Sequence, residues 1–200
     1  NLGASTIEEP GDYYGWGCTT PYGIGKSADW STYFEKIGFS GGGEGTCGTS
    51  NDPMQSYIVY DLSSTNKPSI AGTKFDAVKQ KIGDKWCMPT DADWLELKNN
   101  CGWYWYDNYK GSGMNGYVVT GSNGNSIFLP AGGHYASSYF YYVGTTGYYW
   151  SAMPAPPDKT NTASPYVNAT FFSINNSLYV LCDDFRGHRY QGFTIRPVMK

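Results

Sequence analysis

Two histidines and five cysteines are the side chains in this chain best suited to moving protons or forming covalent bonds. Cys182 stands six residues before His188, with Asp183 and Asp184 between them, and His134 lies well upstream. An imidazole can activate a neighbouring thiol as a nucleophile. Closeness along a turn does not supply that geometry, however, and the preferred reading of Cys182 is a small, idle or buried side chain. Glu8 and Glu9 are adjacent carboxylates, but nothing sets two such groups across a substrate. Asn123-Gly124-Asn125 lacks the following Gly-Lys-Ser/Thr of a phosphate loop. Asp183 and Asp184 carry oxygens suited to a hard cation, yet they read as an exposed acidic loop. The expectation is a non-catalytic chain without a metal or cofactor. Stacking is the other chemistry on offer. Trp103, Trp105 and Tyr106, beside Asp107 and Asn108, have the types that stack on sugar rings and bond their hydroxyls, although core packing is the preferred reading of the two tryptophans.

Composition sets the frame for these groups. Of 200 residues, 18% are aromatic and only 16% charged, with 19 Tyr, 7 Trp and 26 Gly. Disorder goes with few aromatics and high net charge, so this chain folds. The scarcity of Ala, Leu, Glu and Lys argues against a helical protein. Tyr, Thr, Val and Phe favour strands, and the many Gly, Asn, Ser and Asp favour turns. A net charge of −3, with basic residues scattered, argues against nucleic-acid binding. No apolar run approaches the ~20 residues of a membrane helix. The odd cysteine count leaves at least one thiol unpaired within a monomer. A helix between Cys87 and Cys101 would hold those two too far apart to bridge, whereas a Cys18–Cys47 pair stays open.

The elements that must position these residues are short. Phe75, Val78 and Ile82 follow one helical face, giving a helix over Lys74–Ile82 that stops at Gly83. Thr90 caps a second helix from Asp91 to Lys98, where Asp91 and Asp93 suit the positive end, and Trp94, Leu97 and Cys101 share a face. Gly102 ends it. Strands are expected at Tyr13–Gly17, Tyr57–Tyr60, Trp103–Tyr106, Gly147–Ser151, Tyr166–Ile174, Ser177–Leu181 and Gly192–Val198. Tyr117–Thr120 and Ser126–Leu129 flank Asn123-Gly124 as a hairpin. Gly41-Gly42-Gly43 reads as a loop, as does the Pro-rich stretch from Pro154 to Pro165. No boundary divides the chain, which is read as a single α+β domain over residues 1–200.

Four ordered segments carry a resemblance. They are Asn1-Leu2-Gly3-Ala4-Ser5 through Tyr13-Tyr14-Gly15-Trp16-Gly17; Trp86-Cys87-Met88-Pro89-Thr90-Asp91-Ala92-Asp93-Trp94-Leu95-Glu96-Leu97; Gly121 through Phe128-Leu129-Pro130-Ala131-Gly132-Gly133; and Gly147-Tyr148-Tyr149-Trp150-Ser151 with Gly192-Phe193-Thr194-Ile195-Arg196-Pro197-Val198. Together they resemble the Fibrobacter succinogenes major paralogous domain family, common in surface proteins of gut Bacteroidetes. The resemblance implies a C-type-lectin-like fold of two helices on short antiparallel sheets with long loops. It is similar to the fold of formylglycine-generating enzymes and of the variable proteins of diversity-generating retroelements. Two departures stand out. The family has a further strand before Gly3-Ala4-Ser5, and its basic residue before Met-Pro-Thr is Cys87 here.

The resemblance also implies a place for recognition. In the variable proteins, framework segments carry diversified positions late in the chain. Between the corresponding frameworks here lie 134–142 and 182–190, dense in Tyr, Ser, Asp, His and Arg. Tyrosine offers rigid amphipathic contact area and serine adaptable hydrogen bonding, as in a paratope. The candidate ligand-contacting residues are therefore His134, Tyr135, Ser138, Tyr139, Tyr141, Tyr142, Asp183, Asp184, Phe185, Arg186, His188, Arg189 and Tyr190. The alternative is that these tyrosines pack over a loop-rich core. The expected role is a secreted, cell-surface or phage-tail domain for adhesion, binding a protein or glycan on a host or neighbouring cell. A structural or pilus-assembly module is the competing reading, in which the absent first strand leaves an open sheet edge. A formylglycine-generating activity is disfavoured, because that chemistry needs a late cysteine pair and Cys182 is the only cysteine after Cys101. The calcium and sugar triplets of lectins of this fold (Glu-Pro-Asn, Gln-Pro-Asp, Trp-Asn-Asp) do not occur.

Overall fold

The structure is a computed structural model that describes residues 1–22, 69–136, 139–156, 168–182, 187–189 and 191–200. The expected strand at Tyr57–Tyr60, the Gly41–Gly43 loop, the Cys18–Cys47 pairing and most of the Pro-rich stretch lie outside the described residues.

The architecture is mixed α+β, with two helices and several short antiparallel sheets. Helix α1, Ala77–Ile82, begins later than the apolar spacing suggests because Asp76 is its N-cap. The Asp76 carboxylate is fully buried and accepts from the backbone amides of Gly72, Val78, Lys79 and Met88. It therefore ties the helix start to the segment after strand β1, Trp86–Cys87. Helix α2, Asp91–Asn100, starts where expected. Thr90 Oγ1 accepts from the Asp93 amide, and Asp93 Oδ2 accepts from the Thr90 amide and hydroxyl, each at 2.7 Å. This reciprocal cap satisfies amides that the first turn cannot pair. Asp91 Oδ1 in turn accepts from the hydroxyls of Ser151 and Thr170, fastening the helix to two strands.

The helix stops at Asn100 with Cys101 as its C-cap, and Gly102, just past that stop, opens β2, Gly102–Tyr106, an edge of a sheet with β3, Gly116–Thr120, and β4, Ser126–Pro130. The pleat sends alternate residues to opposite faces. Trp103, Val119 and Ile127 are in register, as are Trp105, Tyr117 and Leu129, and these face inward. Tyr104, Val118 and Phe128 lie on the opposite face, where Tyr109 stacks on Phe128 at 4.1 Å and Phe128 is buried. The two tryptophans are thus packing residues, with Trp103 stacked on Tyr179 at 4.4 Å, and the exposed rings of this strand are Tyr104 and Tyr106.

The second three-stranded sheet joins β7, Thr146–Pro154, β8, Ala169–Asn175, and β9, Leu178–Cys182. Its two faces serve two cores. Tyr149, Phe172, Ile174, Tyr179 and Leu181 pack with Trp94 of α2 and the inner face of β2–β4; Trp94 lies stacked on Phe172 at 4.7 Å and 4°. Trp150 and Phe171 pack on the other face with Trp16, Ile70, Met88, Phe193 and Ile195. The buried indoles keep their hydrogen bonds: Trp16 Nε1 donates to the Ser151 carbonyl and Trp150 Nε1 to the Tyr14 carbonyl, both at 2.7 Å. Tyr13–Gly17 and Gly192–Val198, expected as full strands, contribute isolated bridges instead, Tyr14 to Phe193, Tyr135 to Gly192 and Tyr149 to Thr194, and only Val198 of the second segment enters a strand. A two-residue strand β10, Val198–Met199, pairs with β1.

Candidate functional site

The 134–142 stretch forms a hairpin of β5, His134–Ala136, and β6, Tyr139–Tyr141, with His134, Tyr135 and Ala136 opposite Tyr141, Phe140 and Tyr139. Backbone bonds hold it at both ends. Tyr135 and Gly192 exchange amide–carbonyl bonds at 2.8 and 2.7 Å. The Gly133 amide donates to the Thr146 carbonyl at 2.7 Å, and the Thr146 amide to the Tyr142 carbonyl at 2.9 Å. Gly133 has φ of +70°, and a Cβ there would lie 2.2 Å from the Tyr141 carbonyl oxygen, so only glycine fits where the hairpin leaves the body.

On this rigid base stand five consecutive exposed residues: Tyr139, Phe140, Tyr141, Tyr142 and Val143, with Tyr139 67% and Tyr142 60% accessible. Solvent-facing apolar runs of this length are rare without a partner. Tyr142 also has φ of +61°, an unfavourable backbone state for a bulky residue. The Thr145 hydroxyl and the amides of Thr145 and Thr146 all donate to its carbonyl, which fixes that state. Replacing Tyr142 with glycine is expected to raise stability by up to about 1 kcal/mol in denaturant melts, because strain is relieved and little packing is lost. A clear loss of stability would mean that the ring is structural.

Three candidates from this neighbourhood are interior residues, not contact residues. His134 is 8% exposed and packs against Tyr141, Tyr148 and Phe193. Tyr135 is buried against Tyr22 and Phe140, on the side where the strand meets Gly192. Arg189 is 1% exposed, with its guanidinium 5.9 Å from the Trp16 ring centroid and its carbonyl accepting from the Trp16 amide. Both faces of β5 are covered, and Arg189 runs inward as a packing cation. His188 is half-buried, bridged to Asn168, with its amide bonded to the Gln191 side chain at 3.2 Å. Ser138, Asp183, Asp184, Phe185, Arg186 and Tyr190 lie outside the described residues.

Behind the tyrosines is a pocket of about 210 Å³ lined by His134, Tyr148, Phe171, Ser173, Cys182, Gln191 and Phe193. Tyr148, Phe171, Ser173 and Cys182 reach it because they share one face of β7–β9, Tyr148 opposite Ser173 and Phe171 opposite Cys182. Tyr142 stands close by, 5.9 Å from the His134 ring and 6.4 Å from Tyr148. The pocket unites Cys182 with His134 and not with His188, the imidazole nearer in sequence. Burial lowers the His134 pKa to about 4, and its Nδ1 meets no hydrogen-bond partner among the described residues. Burial first, then the neighbouring Tyr142 and Cys182, pushes the Tyr148 phenol upward. At neutral pH the His134 ring and the Tyr148 phenol are therefore uncharged. Sequence reasoning did not single out Phe140, inside the marked 134–142 stretch, or Val143 as contacts, and of the pocket residues it marked only His134 and, at the start of the 182–190 stretch, Cys182; the signal for the pocket is the period-2 alternation that puts Tyr148, Phe171, Ser173 and Cys182 on one face. Among the described residues no cluster of three or more metal-ligating side chains occurs. No protein-family model, curated protein or solved structure matches the chain.

Proposed function

We propose that this chain is a non-catalytic recognition domain of C-type-lectin-like architecture, displayed outside the cell, that grips a protein or glycan with the Tyr139–Val143 edge and the pocket beside it. The observation that carries this reading is the run of five exposed aromatic and apolar residues on a hairpin whose backbone is fixed at both ends. Rigid tyrosines give contact area at low entropic cost, and the adjoining pocket gives a ligand somewhere to insert. The two helices and several short antiparallel sheets are consistent with the lectin-like reading and with the resemblance to the Fibrobacter succinogenes major paralogous domain family.

The test is a glycan and surface-protein array probed with the wild type and with a Tyr139→Ala, Tyr141→Ala, Tyr142→Ala triple variant. Aromatic hot spots each contribute on the order of 2 kcal/mol, so the triple variant should bind a hundredfold more weakly or worse while its melting temperature stays within a few degrees. Unchanged binding, or a collapsed fold, contradicts the proposal. One observation favours the competing assembly reading: β2 is a sheet edge that carries the exposed Tyr104 and Tyr106. Concentration-dependent oligomers that vanish on Tyr104→Lys would support it.

A further inference from the structure

A second opening lies on the other side of the β7–β9 sheet, and the recognition reading makes no use of it. Asp93 and Leu97, four residues apart and so on one face of α2, meet Ile127 of β4 and the 196–198 segment around a pocket of about 200 Å³. Asp93, Leu97, Ile127, Arg196, Pro197 and Val198 are each partly exposed, so these walls reach solvent; Pro89 and Trp94 complete them from the interior. Trp94, Leu97 and Ile127 belong to the core on one face of the sheet, whereas Tyr148, Phe171 and Cys182 of the hairpin pocket pack on the other. The lining includes one charge of each sign, and neither is spent on the other. Among the described residues the Arg196 guanidinium makes no ion pair and no hydrogen bond. Burial lowers its pKa, with the Tyr149 phenol acting the other way, but a guanidinium stays charged. A cation held partly away from water without a partner costs stability, and an anion brought to it recovers that cost. Asp93 Oδ2 is taken by the Thr90 amide and hydroxyl, which leaves Oδ1 without a hydrogen bond among the described residues. An ionised carboxylate accepts at both oxygens. A plain carboxylic acid would meet the Asp93 charge and a plain amine the Arg196 charge; a ligand with both charges satisfies both residues. The volume falls below the roughly 300 Å³ at which drug-sized sites begin, so the ligand is small. The aliphatic walls of Leu97, Ile127 and Val198 favour an apolar body on it.

We propose that the pocket between α2, β4 and the 196–198 segment binds a free α-amino acid with an apolar side chain: its carboxylate pairs with Arg196, its ammonium with Asp93, and its side chain packs on Leu97, Ile127 and Val198. This goes beyond the recognition reading and does not rest on it.

The experiment titrates the whole chain by calorimetry at neutral pH with leucine and phenylalanine, with 4-methylpentanoate, which is leucine without its amine, and with 3-methylbutylamine, which is leucine without its carboxylate. At least one of the two amino acids should bind, and leucine or phenylalanine should bind at least tenfold more tightly than either single-charge analogue, because each lost charge-assisted bond costs about that factor or more. Arg196→Met should lose at least tenfold in affinity while melting no lower than the wild type, since it gives up no bond. The amino acid should raise the Tm of the wild type and leave that of Arg196→Met unchanged. Asp93→Asn keeps a carbonyl oxygen for the Thr90 cap and should erase the preference for the amino acid over 4-methylpentanoate. Leu97→Trp, which fills the pocket from the helix, should abolish binding whether or not Arg196→Met folds. No binding of either amino acid by folded wild type up to millimolar concentration, equal affinity for the amino acid and an analogue lacking one charge, or full binding by Leu97→Trp or by folded Arg196→Met overturns the proposal.

Discussion

Replacing Asp76 with alanine is expected to cost about 4 kcal/mol of stability, the largest effect of any single substitution considered. The carboxylate is inaccessible to solvent and accepts from the amides of Gly72, Val78, Lys79 and Met88 at 2.7 to 3.3 Å. Alanine removes the acceptors and leaves those donors to find water or go unpaired, and each buried unpaired donor costs about 1–3 kcal/mol. Asparagine is expected to fare only slightly better, because its NH₂ would face amides that are themselves donors. For a chain of this size the loss corresponds to a fall in Tm of roughly 8–16 °C. Thermal and urea melts of both variants measure it. A loss below about 1 kcal/mol in Asp76→Ala would mean that the amides are satisfied elsewhere.

Protonation of His134 is expected to weaken the fold by up to about 3 kcal/mol as pH falls. The folded-state pKa, about 4, lies below the ordinary 6.5, and burial is the cause. The unfolded chain therefore takes up a proton as pH drops through about 6.5, while the folded chain does not until about 4. Stability that is complete above 6.5 declines across this window and levels off below it. His134→Gln has no proton to take up and should lack this part of the decline, so the wild type loses its advantage over the variant between pH 7 and pH 4.5. Parallel pH dependences in the two proteins would contradict the buried, neutral imidazole.

Local signals were legible in the sequence wherever one segment carried the whole cause. Thr90, Asp91 and Asp93 announce α2 because capping chemistry is complete within four residues. Asn123-Gly124 announces the β3–β4 turn, where Gly124 takes φ of +79°. Asp76 went unnoticed as a cap, although its bonds to the Val78 and Lys79 amides are local, because the apolar spacing of Phe75, Val78 and Ile82 drew the helix start upstream; only its further bond to Met88 depends on the chain's return after a helix and a turn. The candidate site was legible in part. Composition marked the 134–142 stretch, and Tyr139, Tyr141 and Tyr142 are exposed there. Composition does not say which face a residue takes, so it could not separate those rings from Tyr135, sealed against Tyr22, or from Arg189, laid over Trp16. The pocket was invisible because its walls come from β5, β7, β8, β9 and the segment around Phe193, and only strand pairing joins them.

Hydroxyl-radical footprinting of the domain, free and bound to its best array ligand, tests the central claim most directly. A recognition edge at the hairpin requires protection at Tyr139, Phe140, Tyr141 and Tyr142, with Tyr104 and Tyr106 as reactive as in the free protein. Protection confined to Tyr104 and Tyr106, with the hairpin rings still open to radicals, would contradict it.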